Sequence, residues 1–169
     1  KSLNLLLKSE TLKIEKKFTE LEKVYEEMIK NENTKILGLK GLMKQNLHAQ
    51  DYHHAFIYGE KLFNLNHHID KIYDTLVKII SKTNNWQKLI QINEKAFKFK
   101  LINKEIYSIN KSIALYEISI IRRHSALKDS IDFIEKALKL RQYFPPYVRH
   151  YIELLIENNN FLKAKKYLY

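Results

Sequence analysis

The sequence predicts an all-α fold, an α-solenoid of antiparallel helix pairs wound into a right-handed superhelix. Apolar residues step by three and four along nearly the whole chain, which is the spacing of amphipathic helices. Only three glycines and two prolines occur in 169 residues, so long helices are favoured over many turns. A short motif also recurs with a period of 34 residues, which is typical of stacked helical repeats.

Residues 1–33 are expected to form a helical segment, either a degenerate repeat or a cap on the solenoid. One apolar stripe with steps of three and four runs through this segment: Ile14, Phe18, Leu21, Tyr25, Met28. The stripe predicts a single helix from about Glu10 to Lys30. The opening "SLNLLLK" has too few apolar residues to cross a bilayer, which requires about 20.

Four repeats are predicted to follow, over residues 34–68, 69–102, 103–143 and 144–169. In each, a large residue opens the second helix and a small or apolar residue follows three positions later. The large residues are Tyr52, Trp86, Leu127 and Phe161, and the later residues are Ala55, Leu89, Ser130 and Ala164. Both series have spacings of 34, 41 and 34. Downstream, "GEKLFNLN", "NEKAFKFK" and "IEKALKLR" align without gaps, which adds Ala96 and Ala137 to the predicted repeat core.

The spacing of 41 places seven extra residues between Ala96 and Ala137. They amount to about two helical turns, so we expect a lengthened helix from about Lys104 to Arg123 whose end protrudes from the stack. Pro145 and Pro146 then end one repeat and begin the next, because proline suits the first turn of a helix.

All three glycines lie between residues 38 and 59, inside predicted helices. Gly41 falls on the first helix of a repeat and Gly59 on the second, while Gly38 falls in a first turn. The flanking apolar residues keep their helical spacing through the glycines, so tight packing of helices is favoured over a flexible linker. Each glycine costs up to about 1 kcal/mol of helix propensity, which packing must offset.

A helix–turn–helix unit of 34 residues resembles the tetratricopeptide repeat (TPR). The resemblance implies a concave face formed by the first helices of the repeats, where partners bind. Its residues would be Lys40, Lys44, His48, Asp74, Lys78, Lys82, Arg122 and Arg149. Such a basic face would attract the carboxylates of peptide ends, acidic segments or a porphyrin. Ordinary solvated lysines are the alternative. Chaperone-tail binding is disfavoured because the asparagine that it requires would fall near Thr75.

The chain carries 30 basic against 19 acidic residues, a net charge of +11. The lysines are spread along the chain, so we attribute the positive charge to the general amino-acid composition and expect no nucleic-acid partner. A nucleic-acid partner would be indicated by an affinity that falls steeply as the salt concentration rises. There is no cysteine, no helical His-x-x-x-His supported by carboxylates and no glycine-rich phosphate loop. The chain is therefore expected to be neither an enzyme nor a metal protein.

The stretch "NTKILGLKGLMKQNLHAQDYHHAFIYGEKLFNL" resembles the P-E-T-R-F-L-G-L-R-G-L segment of the HemY family, alphaproteobacterial TPR proteins associated with haem biosynthesis. "ALKLRQYFPPYVRHYIELLIENNNFLKAKKYL" resembles a later segment of the same family, and the similarity runs from about Phe18 to Tyr169. It implies a non-enzymatic protein-interaction scaffold in haem or porphyrin metabolism, with haem-pathway enzymes among its protein partners. It further implies inner-membrane association through an N-terminal region outside this sequence, and a soluble character for residues 1–169. No cofactor is expected unless the basic face itself binds haem or porphyrin.

Overall fold

The computed structural model describes residues 2–66, 68–69 and 71–167, and every regular element in these ranges is an α-helix. The all-α prediction is confirmed. The helices are α1 Ser2–Ile14, α2 Phe18–Ile29, α3 Lys35–His48, α4 Tyr52–Leu65, α5 Ile72–Thr83, α6 Trp86–Lys98, α7 Lys104–Arg122, α8 Leu127–Leu140, α9 Pro145–Glu157 and α10 Phe161–Lys165. They divide into two compact units, Lys1–Asn84 and Asn85–Tyr169. Within each unit, every helix packs on the next one along the chain.

Five helices begin at the large residue of the repeat motif or one period before it. These first residues are Phe18, Tyr52, Trp86, Leu127 and Phe161. Their separations are 52 − 18 = 34, 86 − 52 = 34, 127 − 86 = 41 and 161 − 127 = 34. Since α2 begins one period before α4, α1 and α2 form a helix pair in register with the repeats that follow.

The prediction of one helix from Glu10 to Lys30 is wrong. The chain turns between α1 and α2 at Lys16, which has a left-handed backbone with φ of 56°. The amide of Lys17 then bonds to the carbonyl of Leu12 at 3.0 Å, which ends α1. The turn removes two residues from the predicted apolar stripe, because Ile14 is 82% exposed and Phe18 57% exposed.

The same backbone conformation recurs before α4, α6 and α10. A left-handed residue stands two positions before each of these helices, at Gln50, Asn84 and Asn159, as Lys16 does before α2. The residue that follows then caps the new helix in three cases, because a side-chain oxygen accepts a hydrogen bond from a backbone amide three positions on. The caps are Asp51 of α4, Asn85 of α6 and Asn160 of α10.

The three glycines lie where helices of the first unit meet closely, so the packing interpretation is confirmed. A Cβ on Gly38, in the first turn of α3, would lie 2.7 Å from the carbonyl oxygen of Tyr25 and 3.1 Å from the amide nitrogen of Ile29. A Cβ on Gly41 would overlap the ring of Tyr25. The atoms nearest to a Cβ on Gly59 would be side-chain atoms, Cδ2 of Leu76 at 2.9 Å and Sδ of Met43 at 3.2 Å.

In the second unit, the seven extra residues lengthen α7 to 19 residues, as predicted. The predicted protrusion is wrong, because the end of α7 is bound to α9. Arg123 donates to Glu153 at 3.0 Å and to Glu157 at 2.9 Å. One turn earlier, the Ser119 hydroxyl lies 3.0 Å from Nε2 of His150.

Most predicted repeat-core residues lie in helix interfaces. The following are buried: Ala55, Gly59, Leu89, Ala96, Ser130, Ala137, Ala164. Gly41, Tyr52, Trp86 and Leu127 are half-buried. The prediction that Phe161 lies in the repeat core is wrong, because this residue is 59% exposed. It begins the five-residue helix α10, which packs on α9 and buries only Ala164.

No helix in the described part of the chain is both long enough and apolar enough to cross a membrane.

Candidate functional site

The first unit contains a groove of about 930 Å³ between α1, α2 and α3. Leu21, Tyr25 and Met28 of α2 form its floor, and apolar residues of all three helices line it. A volume of this size lies within the range of about 300–1,000 Å³ that is typical of ligand sites in proteins. We call it the α1–α3 groove.

The floor is shaped by a tyrosine packed against a glycine. Because Gly41 has no side chain, the ring of Tyr25 lies directly against α3. Tyr25 is 4% exposed, and Nζ of Lys13 lies 5.9 Å from the centre of its ring. The ring therefore joins the three helices at the base of the groove.

One wall of the groove is cationic. Lys40, Lys44 and His48 of α3 line it and follow one another at intervals of four residues, so they share one side of the helix. Lys40 is half-buried, whereas Lys44 and His48 lie closer to the solvent at the far end of the wall. Neither lysine forms an ion pair with a carboxylate in the described ranges. These charges are therefore available to a ligand.

The opposite wall contributes little net charge. Glu10 and Lys13 of α1 both line the groove and form an ion pair with each other. The hydrogen bond from Lys13 to Glu10 raises the pKa of Lys13, so this lysine stays protonated at neutral pH. The groove as a whole is thus apolar at its base and positive along α3.

Gln45 of α3 adds an unusual polar group to the groove. Its Nε2 donates to the carbonyl oxygen of Phe18 at 2.9 Å, which fixes the orientation of the amide. Its Oε1 is buried and, among the described residues, it has no hydrogen-bond partner. A buried acceptor left unpaired costs about 1–3 kcal/mol, so the folded chain retains this group at some cost in stability.

The structure brings together only part of the predicted concave face. Lys40, Lys44 and His48 share the groove wall, whereas Asp74, Lys78 and Lys82 lie on α5 and do not line the groove. Arg122 is exposed at the end of α7. Arg149 is 84% exposed beside a shallow depression of the second unit, and its Nε lies 3.5 Å from Oε1 of Glu153.

Sequence reasoning missed the half of the groove that α1 and α2 provide. A signal was present, because one 34-residue step back from Tyr52 falls on Phe18, the first residue of α2. Following the period backward would have predicted another helix pair, and with it a second wall. The unpaired oxygen of Gln45 has no comparable signal in the sequence.

Among the described residues, no group of three or more His, Asp or Glu side chains could hold a metal ion. His54 forms a hydrogen bond within its own helix start, where its Nδ1 lies 2.7 Å from Oδ2 of Asp51. Hydrogen bonds from the backbone and ring of His54 lower the pKa of Asp51, so this cap stays ionised at neutral pH.

No protein-family model matches the chain, and no curated protein does. One solved structure that resembles the chain is MamA, residues 41-end, from Desulfovibrio magneticus RS-1. The two sequences are 13% identical, the match covers 99% of this chain and 90% of that chain, and the TM-score is 0.47. A second MamA structure has 14% identity, coverages of 99% and 87%, and a TM-score of 0.49. YrrB, described as a TPR protein with an unusual peptide-binding site, has 10% identity, coverages of 99% and 83%, and a TM-score of 0.47. At these identities the likeness is one of fold alone.

Proposed function

We propose that the chain is a non-enzymatic protein-interaction scaffold that binds a segment of a partner protein in the α1–α3 groove. The observation that carries this proposal is the combination of an apolar floor with Lys40 and Lys44, which have no ion-pair partner among the described residues. Apolar side chains of the partner would fill the base, and carboxylates of the partner would neutralise the lysines. An acidic segment is therefore the class of ligand that fits best.

We further propose that the scaffold belongs to haem or porphyrin metabolism, as a HemY-like protein with haem-pathway enzymes as partners and an inner-membrane location. The support is the stretch "ILGLKGL", which resembles that family and here forms the start of α3, the cationic wall. Proximity labelling of the full-length protein in its native cells tests this assignment. Enrichment of late haem-pathway enzymes is expected, and enrichment of unrelated proteins alone would contradict it.

Charge reversal in the groove should weaken partner binding. We expect Lys40→Glu with Lys44→Glu to weaken partner capture at least tenfold, because a carboxylate that met two cations would meet two anions, a loss of about 1.4 kcal/mol or more. The measurement is proximity labelling quantified by mass spectrometry, comparing the variant with wild type at equal expression.

The chain offers a matched control for this experiment. Lys78→Glu with Lys82→Glu makes the same change at the same spacing on α5, outside the groove. We expect this variant to retain its partners. The sequence-based hypothesis that Lys78 and Lys82 contact the ligand predicts the opposite result, so the two double variants decide between the two surfaces.

A porphyrin is the second candidate ligand for the same groove. The volume suits a small molecule, the base is apolar, and Lys40, Lys44 and His48 could meet propionates or iron. Titration of haem or protoporphyrin with the protein should then give a saturable shift of the Soret band that the Lys40→Glu, Lys44→Glu variant reduces. A spectrum that the protein does not change would eliminate this candidate.

A further inference from the structure

The short helix α10 exposes two large apolar side chains at consecutive positions. Phe161 is 59% exposed and Leu162 is 83% exposed. The repeat register shows that Leu162 is an exception. In the four other helices that begin in this register, the second residue is exposed and polar, and it is Thr19, His53, Gln87 or Lys128. Packing of the repeats therefore does not account for a leucine at this position.

The contacts of α10 within its unit determine which of its sides faces outward. Nζ of Lys163 lies 2.7 Å from Oε1 of Glu135 in α8, and Ala164 is buried where α10 packs on α9. Just after the helix, the ring of Tyr167 packs edge-on against that of Tyr151, with 5.1 Å between the ring centres. With about 3.6 residues per turn, these contacts share one side of α10. The outward side, which we call the α10 face, consists of Phe161, Leu162, Lys165 and Lys166.

The α10 face is cationic as well as apolar. Lys165 and Lys166 are exposed, and neither forms an ion pair with a side-chain carboxylate in the described ranges. Residues 158–169 contain three lysines and no acidic residue. The second unit, Asn85–Tyr169, has 16 basic against 8 acidic residues, so it carries +8 of the net charge of +11. The field around α10 therefore attracts anions.

The shape and charge of the α10 face restrict what can cover it. A second copy that used the same face would bring Lys165 and Lys166 against their counterparts, and the α1–α3 groove of a second copy would oppose them with Lys40 and Lys44. A small ligand needs a concave site, whereas the α10 face lines neither this groove nor the depressions beside α9. A bilayer takes up protruding apolar side chains and meets lysines with lipid phosphates.

We infer that the α10 face attaches the protein peripherally to an anionic lipid surface. Phe161 and Leu162 insert among the acyl chains, and Lys165 and Lys166 lie beside the lipid phosphates. Lys165 follows Phe161 by four residues, so the lysines stay at headgroup level when the start of α10 dips into the bilayer. The lysines are needed because two apolar side chains alone hold a protein on a membrane only weakly. This inference goes beyond the proposed function and requires neither the α1–α3 groove nor the resemblance to HemY.

The probe is a vesicle of phosphatidylcholine and phosphatidylglycerol in equal parts, compared with one of phosphatidylcholine alone. We expect the whole chain to float with the anionic vesicles and to be released by salt. Leu162→Gln, which introduces the side chain of Gln87 in the same register, should lower the affinity about tenfold because the leucine leaves water on binding. Ile14→Gln is the matched control. Ile14 is 82% exposed, but the lysines around it are paired with Glu10 and Glu15, so we expect no change.

The lysines are tested by removing charge at two places. Lys165→Gln with Lys166→Gln should lower the affinity for anionic vesicles about tenfold or more. Lys16→Gln with Lys17→Gln removes the same charge from the first unit and should have a far smaller effect. Gln50 has the same left-handed backbone as Lys16, so glutamine fits this turn. Circular dichroism verifies that all variants are folded.

Insertion itself can be measured at a single position. The chain has no cysteine, so Leu162→Cys accepts one nitrobenzoxadiazole fluorophore, and Ile14→Cys carries the same label as a control. On addition of anionic vesicles, the emission of the label at position 162 should become stronger and shift to shorter wavelength. The label at position 14 should keep the emission that it has in water.

Each outcome supports or overturns the inference. Equal weakening by the two lysine variants would show diffuse attraction of a basic protein to the vesicles and would overturn it. A label at position 162 that stays in water has the same consequence. So does a label that leaves water without vesicles as the protein concentration rises, because a second copy then covers the face. Effects confined to the α10 variants, with the label inserted, support it. Its failure leaves the groove proposal intact, because the groove variants test a different surface.

Discussion

Gly38→Ala is expected to lower the free energy of unfolding of the first unit by about 2 kcal/mol, whereas Gly59→Ala is expected to change it by less than about 1 kcal/mol. Both substitutions gain about 1 kcal/mol of helix propensity, so the difference between them reports packing alone. At Gly38 the new Cβ meets the backbone of α2, which can yield only if the helices separate. Overpacking of that kind costs up to about 3 kcal/mol.

At Gly59 the neighbours are the ends of flexible side chains. The Cδ2 of Leu76 and the Sδ of Met43 can rotate away from a methyl group at little cost. Urea unfolding followed by circular dichroism at 222 nm measures both variants against wild type. Trp86, the only tryptophan, lies in the second unit, so its fluorescence serves as an internal reference for the part that carries no glycine substitution. Equal destabilisation by the two substitutions would contradict the close backbone contact at Gly38.

The repeat frame could be predicted from the sequence because each of its signals is local. A large residue at the start of every second helix, such as Tyr52 or Trp86, and a small residue three positions later fix where the helices begin and which face packs. The lengthened α7 followed from counting residues between Ala96 and Ala137.

The break between α1 and α2 was missed because nothing in its composition marks it. Left-handed backbone is favoured at glycine and asparagine, and Asn84 and Asn159 mark the equivalent turns in this way. Lys16 adopts the same left-handed conformation, although lysine is not a residue type that favours it. In the absence of such a signal, the steps from Ile14 to Leu21 are indistinguishable from one continuous helix.

The candidate site was predicted in part for a similar reason. Helical spacing places Lys40 with Lys44, and Lys78 with Lys82, on one side of their helices, and it cannot distinguish the two pairs. Only the first pair borders the α1–α3 groove, because Gly41 lets the ring of Tyr25 pack against α3 and α1 provides the opposite wall. Which lysine pair borders the groove depends on contacts between different helices. The periodicity of a single helix carries no information about those contacts.

Acid is expected to destabilise the second unit through His150. This histidine is buried in α9, and its Nε2 lies 3.0 Å from the hydroxyl of Ser119. When that hydroxyl donates to the carbonyl of Ser130 at 2.7 Å, it accepts from Nε2 of His150. The cluster joins α7, α8 and α9.

Burial lowers the pKa of His150, and the charge of Arg123 lowers it further, while Glu153 and Glu157 act in the opposite direction. Because the folded pKa is below the unfolded one, the unfolded chain binds the proton more readily. The contribution to stability is therefore complete above about pH 6.5 and is lost as the pH falls toward the folded pKa. Because one proton is involved, the free energy of unfolding changes by at most about 1.4 kcal/mol per pH unit.

Urea unfolding followed by the fluorescence of Trp86, between pH 7.5 and pH 5, measures this loss in the unit that contains His150. The range stops above the titration of Glu157, whose pKa is lowered by its hydrogen bond with Arg123. His150→Gln is the control, because its Nε2 can still donate to Ser119 and has no charge at any of these pH values. The variant should lose less stability than wild type as the pH falls, because its side chain at position 150 takes up no proton. A variant as acid-sensitive as wild type would show that another group carries the effect, since only the imidazole has been removed.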